Sequence, residues 1–234
     1  MKNNLLKFGI FSILLFMSPV LNAQQAVTDW PNLARFRDEN TKLGNPQPTE
    51  NRVVFMGNSI TEGWSQISPG FFEGRPYINR GISGQTTPQM LIRFRPDVIA
   101  LKPKAVVILA GINDIAGNTG PSTLEMIEAN IASMADIAKA HGIKVVLSSV
   151  LPAYDFPWNP GVFPSEKISA LNAWIKTYAA VNGFIYLDYY TPMADEKKAL
   201  KAEYTMDGVH PNAAGYMVMA PLAEKAISEA LQSK

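Results

Sequence analysis

Three side chains of this sequence have the types needed to activate a hydroxyl group. Ser59 follows a short apolar segment, and His210 follows Asp207 by three residues in a loop that contains Gly and Pro. A serine hydroxyl is a poor nucleophile until a base removes its proton. A neutral histidine can accept that proton, and a carboxylate can fix the ring tautomer and stabilise the imidazolium. We therefore interpret Ser59 as a candidate nucleophile, His210 as its base and Asp207 as the partner of the base.

The chain has two histidines, and their settings differ. His141 precedes Gly142 at the predicted end of a helix, where an interaction with the helix dipole accounts for it. Taken alone, the segment around His210 favours a turn and a helix cap over a catalytic role. Its combination with the other residues that follow predicted strands favours a catalytic role for His210.

An attacked carbonyl develops negative charge, which needs hydrogen-bond donors. Ser59 lies at the predicted start of a helix, so its own N–H has no acceptor within that helix. Gly81 offers an N–H that no side chain shields, and Asn113 offers a neutral amide. We predict that Ser59, Gly81 and Asn113 form an oxyanion hole.

Strands and helices alternate along the chain, which predicts an α/β protein with helices on both faces of a parallel sheet. The predicted strands cover 52–56, 77–79, 105–110, 144–150 and 184–187. The predicted helices cover 30–43, a stretch from Thr87, 124–141, 165–181 and 212–231. Ligand sites in such sheets lie beyond the carboxyl ends of the strands, where all the candidate residues fall.

The layout around Ser59 differs from that of the α/β-hydrolases. Their nucleophile elbow needs Gly-x-Ser-x-Gly. Here the run is Gly57-Asn58-Ser59-Ile60-Thr61, which lacks the second glycine, and the Asp and His share one loop. The sequence therefore indicates another type of serine hydrolase.

Four segments together resemble the SGNH, or GDSL-like, hydrolase family, in the order that the family has them. They are Gly57-Asn58-Ser59-Ile60-Thr61, Asn79-Arg80-Gly81-Ile82-Ser83-Gly84, Gly111-Ile112-Asn113-Asp114 and Asp207-Gly208-Val209-His210-Pro211. The resemblance implies a three-layer α/β/α sandwich with a mostly parallel, flavodoxin-like sheet, and neither a metal nor an organic cofactor. It is greatest to the branch with platelet-activating-factor acetylhydrolase and bacterial carbohydrate acetylesterases. Asn58 departs from the family's common name, which has Asp there, at a position that is not catalytic.

Five further residues are candidates for substrate binding. They are Asn58, Trp64, Arg80, Asp114 and Trp158. Packing is an equal alternative for Trp64, while a salt bridge is the favoured role for Arg80 and hydrogen bonding to loop backbone for Asp114. Trp158 lies in the loop 151–164 with Tyr154, Phe156 and Phe163. These aromatic side chains either stack on a sugar ring or close a small core under the loop.

Composition limits the organisation and the partners of the chain. Its 234 residues suffice for one sizeable domain, and 21 basic against 20 acidic residues give no electrostatic reason to expect nucleic acid or an anionic membrane as partner. The chain has no cysteine, so disulfides, thiolate metal sites and lipid attachment to a cysteine are excluded.

The first residues have the three-part pattern of a secretory signal. Lys2 and Lys7 precede an apolar run over 8–17, and Ala23 precedes polar residues. We predict a signal peptide over 1–23, cleaved near Ala23, and one hydrolase domain over 24–234 that is secreted or periplasmic without stable membrane insertion. The alternative is an N-terminal membrane anchor.

The predicted function is hydrolysis of a small acyl ester, with acetyl as the favoured acyl group and an O-acetylated carbohydrate as the favoured substrate. A lysophospholipase or thioesterase is the enzymatic alternative. A catalytically silent carbohydrate-binding domain on the same fold is the alternative from another class. The alcohol part of the ester and the oligomeric state stay open.

Overall fold

The structure is a computed structural model that describes residues 28–233, so the predicted signal peptide lies outside the described residues. The strands are β1 (Val53–Gly57), β2 (Tyr77–Gly81), β3 (Ala105–Leu109), β4 (Lys144–Ser148) and β5 (Ile185–Leu187). The helices are α1 (Arg37–Leu43), α2 (Ser59–Ile67), α3 (Thr87–Asp97), α4 (Ile112–Ile115), α5 (Leu124–Ala140), α6 (Ser165–Asn182), α7 (Tyr190–Met193) and α8 (Ala213–Gln232).

The five strands form one sheet in the order β2-β1-β3-β4-β5, and every neighbouring pair is parallel. Gly57, at the end of β1, pairs with Gly81 on one side and Leu109 on the other. The chain passes from β1 to β2 on one side and then crosses back to β3 on the other. This reversal makes the carboxyl end of β1 a topological switch point, the usual place for a ligand site.

Both faces of the sheet are covered by helices, because its side chains are apolar on both sides. Val54 and Met56 pack into the cluster formed with α3, α5 and α6, whereas Val53 and Phe55 pack into the cluster formed with α2 and α8. The predicted three-layer α/β/α sandwich is therefore confirmed, with a sheet that is entirely parallel.

The predicted helix over 30–43 is wrong in its first half, since α1 begins only at Arg37. Asn32 has a positive φ of 57°, which a right-handed helix does not accommodate. The Asp29 carboxylate instead accepts hydrogen bonds from the N–H groups of Leu33 and Ala34, each at 2.8 Å. The segment 28–36 therefore forms a series of turns.

Local caps determine where the functionally important helices begin. The side chain of Asn58 accepts a hydrogen bond from the N–H of Ile60 at the start of α2, and Asn212 caps α8 in the same way. Thr86 and Gln89 form a capping box at the start of α3, with Pro88 in its first turn. Within residues 28–233, no helix is both long and apolar enough to cross a membrane.

Candidate active site

Ser59 and the Asp207–His210 loop meet at the carboxyl end of the sheet. Ser59 Oγ lies 2.9 Å from Nε2 of His210, and Nδ1 of His210 lies 2.7 Å from Oδ2 of Asp207. The side chains of His210 and Asp207 are 28% and 36% exposed, so a ligand can reach them from solvent. This arrangement lets a proton pass from the serine to the imidazole while the carboxylate holds the other ring nitrogen.

The loop itself fixes the orientation of the imidazole. Oδ1 of Asp207 accepts the N–H groups of Val209 and His210, at 3.0 and 2.8 Å, while the hydroxyl of Thr205 donates to the carbonyl of His210. Partial burial acts to raise the pKa of Asp207, but the hydrogen bonds from the backbone and ring of His210 and from Val209 N–H outweigh it. The net pKa of Asp207 is lowered, so this group stays a carboxylate at neutral pH.

A cleft of about 220 Å³ opens in front of Ser59. Asn113 lines it, and one N–H of its buried carboxamide donates to the carbonyl of Gln85 at 2.9 Å. This bond fixes the amide and leaves its second hydrogen for a ligand. Among the described residues, the N–H of Ser59 has no hydrogen-bond acceptor. Two of the three predicted oxyanion donors therefore face one cleft.

The third predicted donor, Gly81, is wrong: its N–H donates to Oδ1 of Asn79 at 2.8 Å, and it does not line the cleft. Gly84 lies in the cleft instead, with a φ of 75°, and within residues 28–233 its N–H has no acceptor in reach. Gly81 has a structural role, because a Cβ on it would collide with the backbone of Glu62 in α2. The signal for Gly84 was present in the sequence, as the second glycine of the same loop.

Trp64 and Asn58 are buried and do not line the cleft, contrary to the prediction that they bind substrate. Trp64 is 2% exposed and stacks between Phe71 and Tyr216, with ring centroids at 4.3 and 5.4 Å. Asn58 is fully buried, and its carbonyl oxygen caps α2. Their roles are core packing and helix capping.

Arg80 and Asp114 also lie away from the cleft. The Arg80 guanidinium donates twice to Oδ1 of Asn40 and forms a salt bridge with Glu39 at 3.4 Å, which ties α1 to the edge of the sheet. It also lies 4.5 Å from the ring centroid of Phe36. Asp114 is 2% exposed and accepts the N–H and hydroxyl of Thr87 at the start of α3. The favoured structural alternatives for both residues agree with these contacts, whereas substrate binding does not.

Trp158 is the one substrate-binding candidate that reaches the cleft. Its ring centroid lies 5.8 Å from that of His210, and its Nε1–H donates to Oδ1 of Asn118 at 3.0 Å. Of the other aromatic residues in this loop, Phe156 is buried, and Tyr154 and Phe163 are exposed and pack edge to face. Phe156 thus contributes to a core under the loop, whereas Trp158 stays half-exposed beside the cleft.

A second hollow of about 530 Å³, here called the amide hollow, adjoins the cleft and shares four lining residues with it: Ser83, Gly84, Asn118 and Trp158. Its remaining lining includes Gln85, Gln89 and Asn159, and no charged side chain. Asn118, which sequence reasoning missed, joins the two loops around it, since its amide also donates to the carbonyl of Gly84 at 3.2 Å. Within residues 28–233, no three His, Asp or Glu side chains converge closely enough to hold a metal ion.

Comparison with protein families finds a match over residues 55–218 to the model of the GDSL-like lipase/acylhydrolase family. The match covers more than half of the chain and includes every residue of the site. The chain belongs to this family. The predicted family is thereby confirmed, and the predicted enzyme class, a carboxylic ester hydrolase, is the one that the family's name describes.

Proteins similar to this GDSL-like chain include a candidate acylhydrolase of Bacteroides fragilis with a known crystal structure. Its sequence is 50% identical to this chain, and the two structures superpose with a TM-score of 0.86. The match covers 88% of this chain and all of the other. An uncharacterized lipoprotein of Bacillus subtilis, YqeF, is 27% identical over 60% of this chain and 56% of its own length. An acetylxylan esterase of Xylanibacter ruminicola is 28% identical over 78% of this chain and 44% of its own length. The chain thus spans about half the length of these two curated relatives.

Substitution of Gly81 tests its structural role in this GDSL-like protein. We expect Gly81→Ala to lower the free energy of unfolding by at least about 3 kcal/mol, because the added Cβ overlaps backbone atoms of α2 that cannot move independently. Gly70→Ala is the control, since a Cβ there meets no atom within 4 Å. Denaturant unfolding measures both, and equal stabilities of the two variants would contradict this role.

The buried carboxyl of Asp114 predicts a pH dependence of stability. Burial raises its pKa to about 6, although the hydrogen bonds from Thr87 act to lower it. The folded protein therefore binds the proton of Asp114 more tightly than the unfolded chain does. The stability that this proton adds to the folded state is complete below about pH 4 and is lost as the pH rises to about 6.

We therefore expect the free energy of unfolding of the wild type to fall relative to that of Asp114→Asn as the pH rises from 4 to 6. The expected fall is on the order of 3 kcal/mol, and the difference between the two proteins should be constant above pH 6. Denaturant unfolding at a series of pH values measures it. A difference that stays constant or shifts in the other direction would show that the pKa is not raised.

Proposed function

We propose that this chain is a serine esterase that hydrolyses small acyl esters through Ser59, His210 and Asp207. The observation that carries the proposal is the continuous hydrogen-bonded arrangement from Ser59 Oγ to the Asp207 carboxylate, at 2.9 and 2.7 Å. A structural role for this loop does not require the imidazole to lie on a serine hydroxyl at the start of a helix.

In the proposed reaction, Ser59 Oγ attacks the ester carbonyl while Nε2 of His210 accepts the hydroxyl proton. The tetrahedral intermediate collapses, the bond to the alcohol oxygen breaks, and His210 returns the proton to that oxygen. A water molecule, deprotonated by the same imidazole, then attacks the acyl-enzyme and releases the acid and free Ser59. Asp207 stays ionised throughout and stabilises the imidazolium.

The oxyanion formed in both steps would be stabilised by three neutral donors. These are the N–H groups of Ser59 and Gly84 and the second amide hydrogen of Asn113. The N–H of Ser59 lies at the N-terminus of α2, where the helix dipole also favours negative charge. Their common position on one small cleft supports this assignment.

The size of the cleft supports a short acyl group. At about 220 Å³ it lies below the range of roughly 300–1,000 Å³ in which pockets hold whole small molecules. A long acyl chain also needs an extended channel, which a cleft of this volume does not provide. These features favour acetyl and count against the lysophospholipase and thioesterase alternatives.

The alcohol part of the ester would occupy the amide hollow. Its oxygen must lie within reach of His210, and Trp158 lines both the space beside that imidazole and the hollow. An uncharged lining of amides and one half-exposed indole suits a neutral sugar ring, which presents hydroxyls at its edge and C–H groups on its face. The relationship to an acetylxylan esterase supports the same substrate class, an O-acetylated carbohydrate.

A secreted or periplasmic location would match such a substrate. The sequence pattern of 1–23 supports a signal peptide followed by one hydrolase domain, and a curated relative is a lipoprotein. A silent carbohydrate-binding domain is the less favoured alternative, because binding alone does not need the Ser59–His210–Asp207 arrangement.

Covalent labelling tests the proposed nucleophile. We expect a fluorophosphonate probe to label the wild type at Ser59, because the activated hydroxyl attacks phosphorus as it attacks a carbonyl. Ser59→Ala should not be labelled, and its kcat for p-nitrophenyl acetate should be at least about 10³-fold lower than that of the wild type. Ser169→Ala, at a serine on α6 whose hydroxyl donates to its own helix, is the control and should keep both. Labelling that persists in Ser59→Ala would contradict the assignment.

A substrate panel tests the acyl and alcohol parts separately. We expect kcat/KM to be at least about tenfold higher for p-nitrophenyl acetate than for the octanoate, because the cleft has no room for the longer chain. Acetylated xylo-oligosaccharides should release acetate, measured enzymatically, and the Ser59→Ala protein supplies the blank. A preference for octanoate would favour the lysophospholipase alternative instead.

A further inference from the structure

One arginine is completely buried behind the nucleophile. Arg93, on α3, is 0% exposed, and its Nη2 donates to the carbonyl of Gly57 at 3.0 Å and to that of Arg80 at 2.9 Å. Gly57 ends β1 two residues before Ser59, and Arg80 is the penultimate residue of β2. A single guanidinium therefore joins the carboxyl ends of the two strands from which the site extends.

The same guanidinium is connected to the proposed oxyanion donors. Its Nε donates to Oε1 of Gln85 at 2.5 Å, and Gln85 is 3% exposed. The backbone carbonyl of Gln85 accepts the amide of Asn113, and Gln85 directly follows Gly84. The other end of the Gln85 side chain donates to the carbonyl of Pro31 at 2.7 Å. Gln85 thus lies between the buried cation and two of the three proposed donors.

The charge and shape of arginine account for its presence there. Asp97, four residues later on α3, accepts from Nη1 at 3.1 Å and balances the charge. Burial lowers the pKa of Arg93 to about 10, which still leaves it protonated at neutral pH. A guanidinium directs its donors from three nitrogens in a fixed plane, whereas lysine has a single nitrogen and cannot reach four separated acceptors.

We propose that Arg93, acting through Gln85, is a positioning residue that holds the Gly84 N–H and the Asn113 amide at the spacing that a developing oxyanion needs. This inference rests on the proposed esterase function. Arg93 touches no reacting atom, so its effect comes through the loop that carries the donors. A loss of preorganised donors lowers the rate of the chemical step more than it changes substrate binding.

The test compares Arg93→Lys with Arg52→Lys. Arg52 is a matched control, because it is also buried, pairs with Glu50 at 2.6 Å and donates to the carbonyls of Gly44 and Leu101, but it precedes β1 at the opposite end of the sheet. We expect Arg93→Lys to lower kcat for p-nitrophenyl acetate about 10-fold or more with KM within about threefold. Arg52→Lys should keep kcat within about twofold while losing thermal stability.

Gln85→Met provides a second test that leaves the arginine and its strand contacts in place. It removes the link from Arg93 to the loop, together with the hydrogen bond from Gln85 to the carbonyl of Pro31. We expect kcat to fall in the same direction with little change in KM. If Arg93→Lys does not fold, this variant decides alone. The proposal is overturned if kcat of Gln85→Met, and of Arg93→Lys where it folds, is as high as that of Arg52→Lys. Arg93 would then have a purely structural role.

Nuclear magnetic resonance relaxation of the Asn113 side-chain ¹⁵N separates this inference from the proposed function. We expect this amide to become more mobile in Arg93→Lys and Gln85→Met but not in Arg52→Lys. An amide that stays equally ordered in all three proteins overturns the positioning role, whether or not the ester is hydrolysed. A wild type that neither reacts with the probe nor cleaves the ester contradicts the esterase proposal, and the relaxation data then still decide the positioning role.

Discussion

The hydrogen bond between Ser59 and His210 joins residues 151 positions apart in the chain, and it depends on the packing of two helices. Ser59 begins α2 and His210 lies just before α8, so both helices must begin side by side at one edge of the sheet. They do so because they share one face of the sheet and one apolar cluster. Within that cluster Trp64 stacks on Tyr216, whose hydroxyl donates to the carbonyl of Ile60 at 2.8 Å. The core therefore determines the distance between the proposed nucleophile and base.

The opposite side of the cleft is held by polar contacts. The loop after β2 and the start of α3 are attached to the segment 28–36 by hydrogen bonds from Gln85 and Gln89. They are attached to the residues after β3 by the bond from the N–H of Thr87 to Asp114 and by the bond from Asn113 to the carbonyl of Gln85. Buried polar groups are costly unless they are paired, and paired networks adopt one arrangement in preference to others. A network of this kind keeps a glycine loop rigid, which donors aimed at a single oxygen require.

The cleft and the amide hollow together suggest how one fold serves different esters. The proposed reacting groups lie at the sheet edge, on elements held by the core, whereas Asn118, Trp158 and Asn159 come from the connections between α4 and α5 and between β4 and α6. Loops of this kind can differ between related proteins without disturbing the sheet. In the proposed reaction, specificity for the alcohol part of the ester is thus separable from the chemistry assigned to Ser59.

The sequence by itself determined the order of strands and helices, the family and the three residues that meet around His210. The spacing of apolar residues within a segment indicates which segments are buried strands and helices. The Asp207–His210 loop is held by contacts within five residues. Both features can therefore be recognised from short stretches of sequence. It did not determine that Gly84 rather than Gly81 faces the cleft, nor that Trp64 and Arg80 are turned into the packing of α2 and α1. Whether a side chain lies in a cleft or in a core depends on atoms far away in the chain. The acceptor of the Gly81 N–H is local, but the side chain of Asn79 that supplies it is also hydrogen-bonded to the carbonyl of Thr61 in α2. Only the packing of α2 against β2, and of the loops around Asn118, decided those positions.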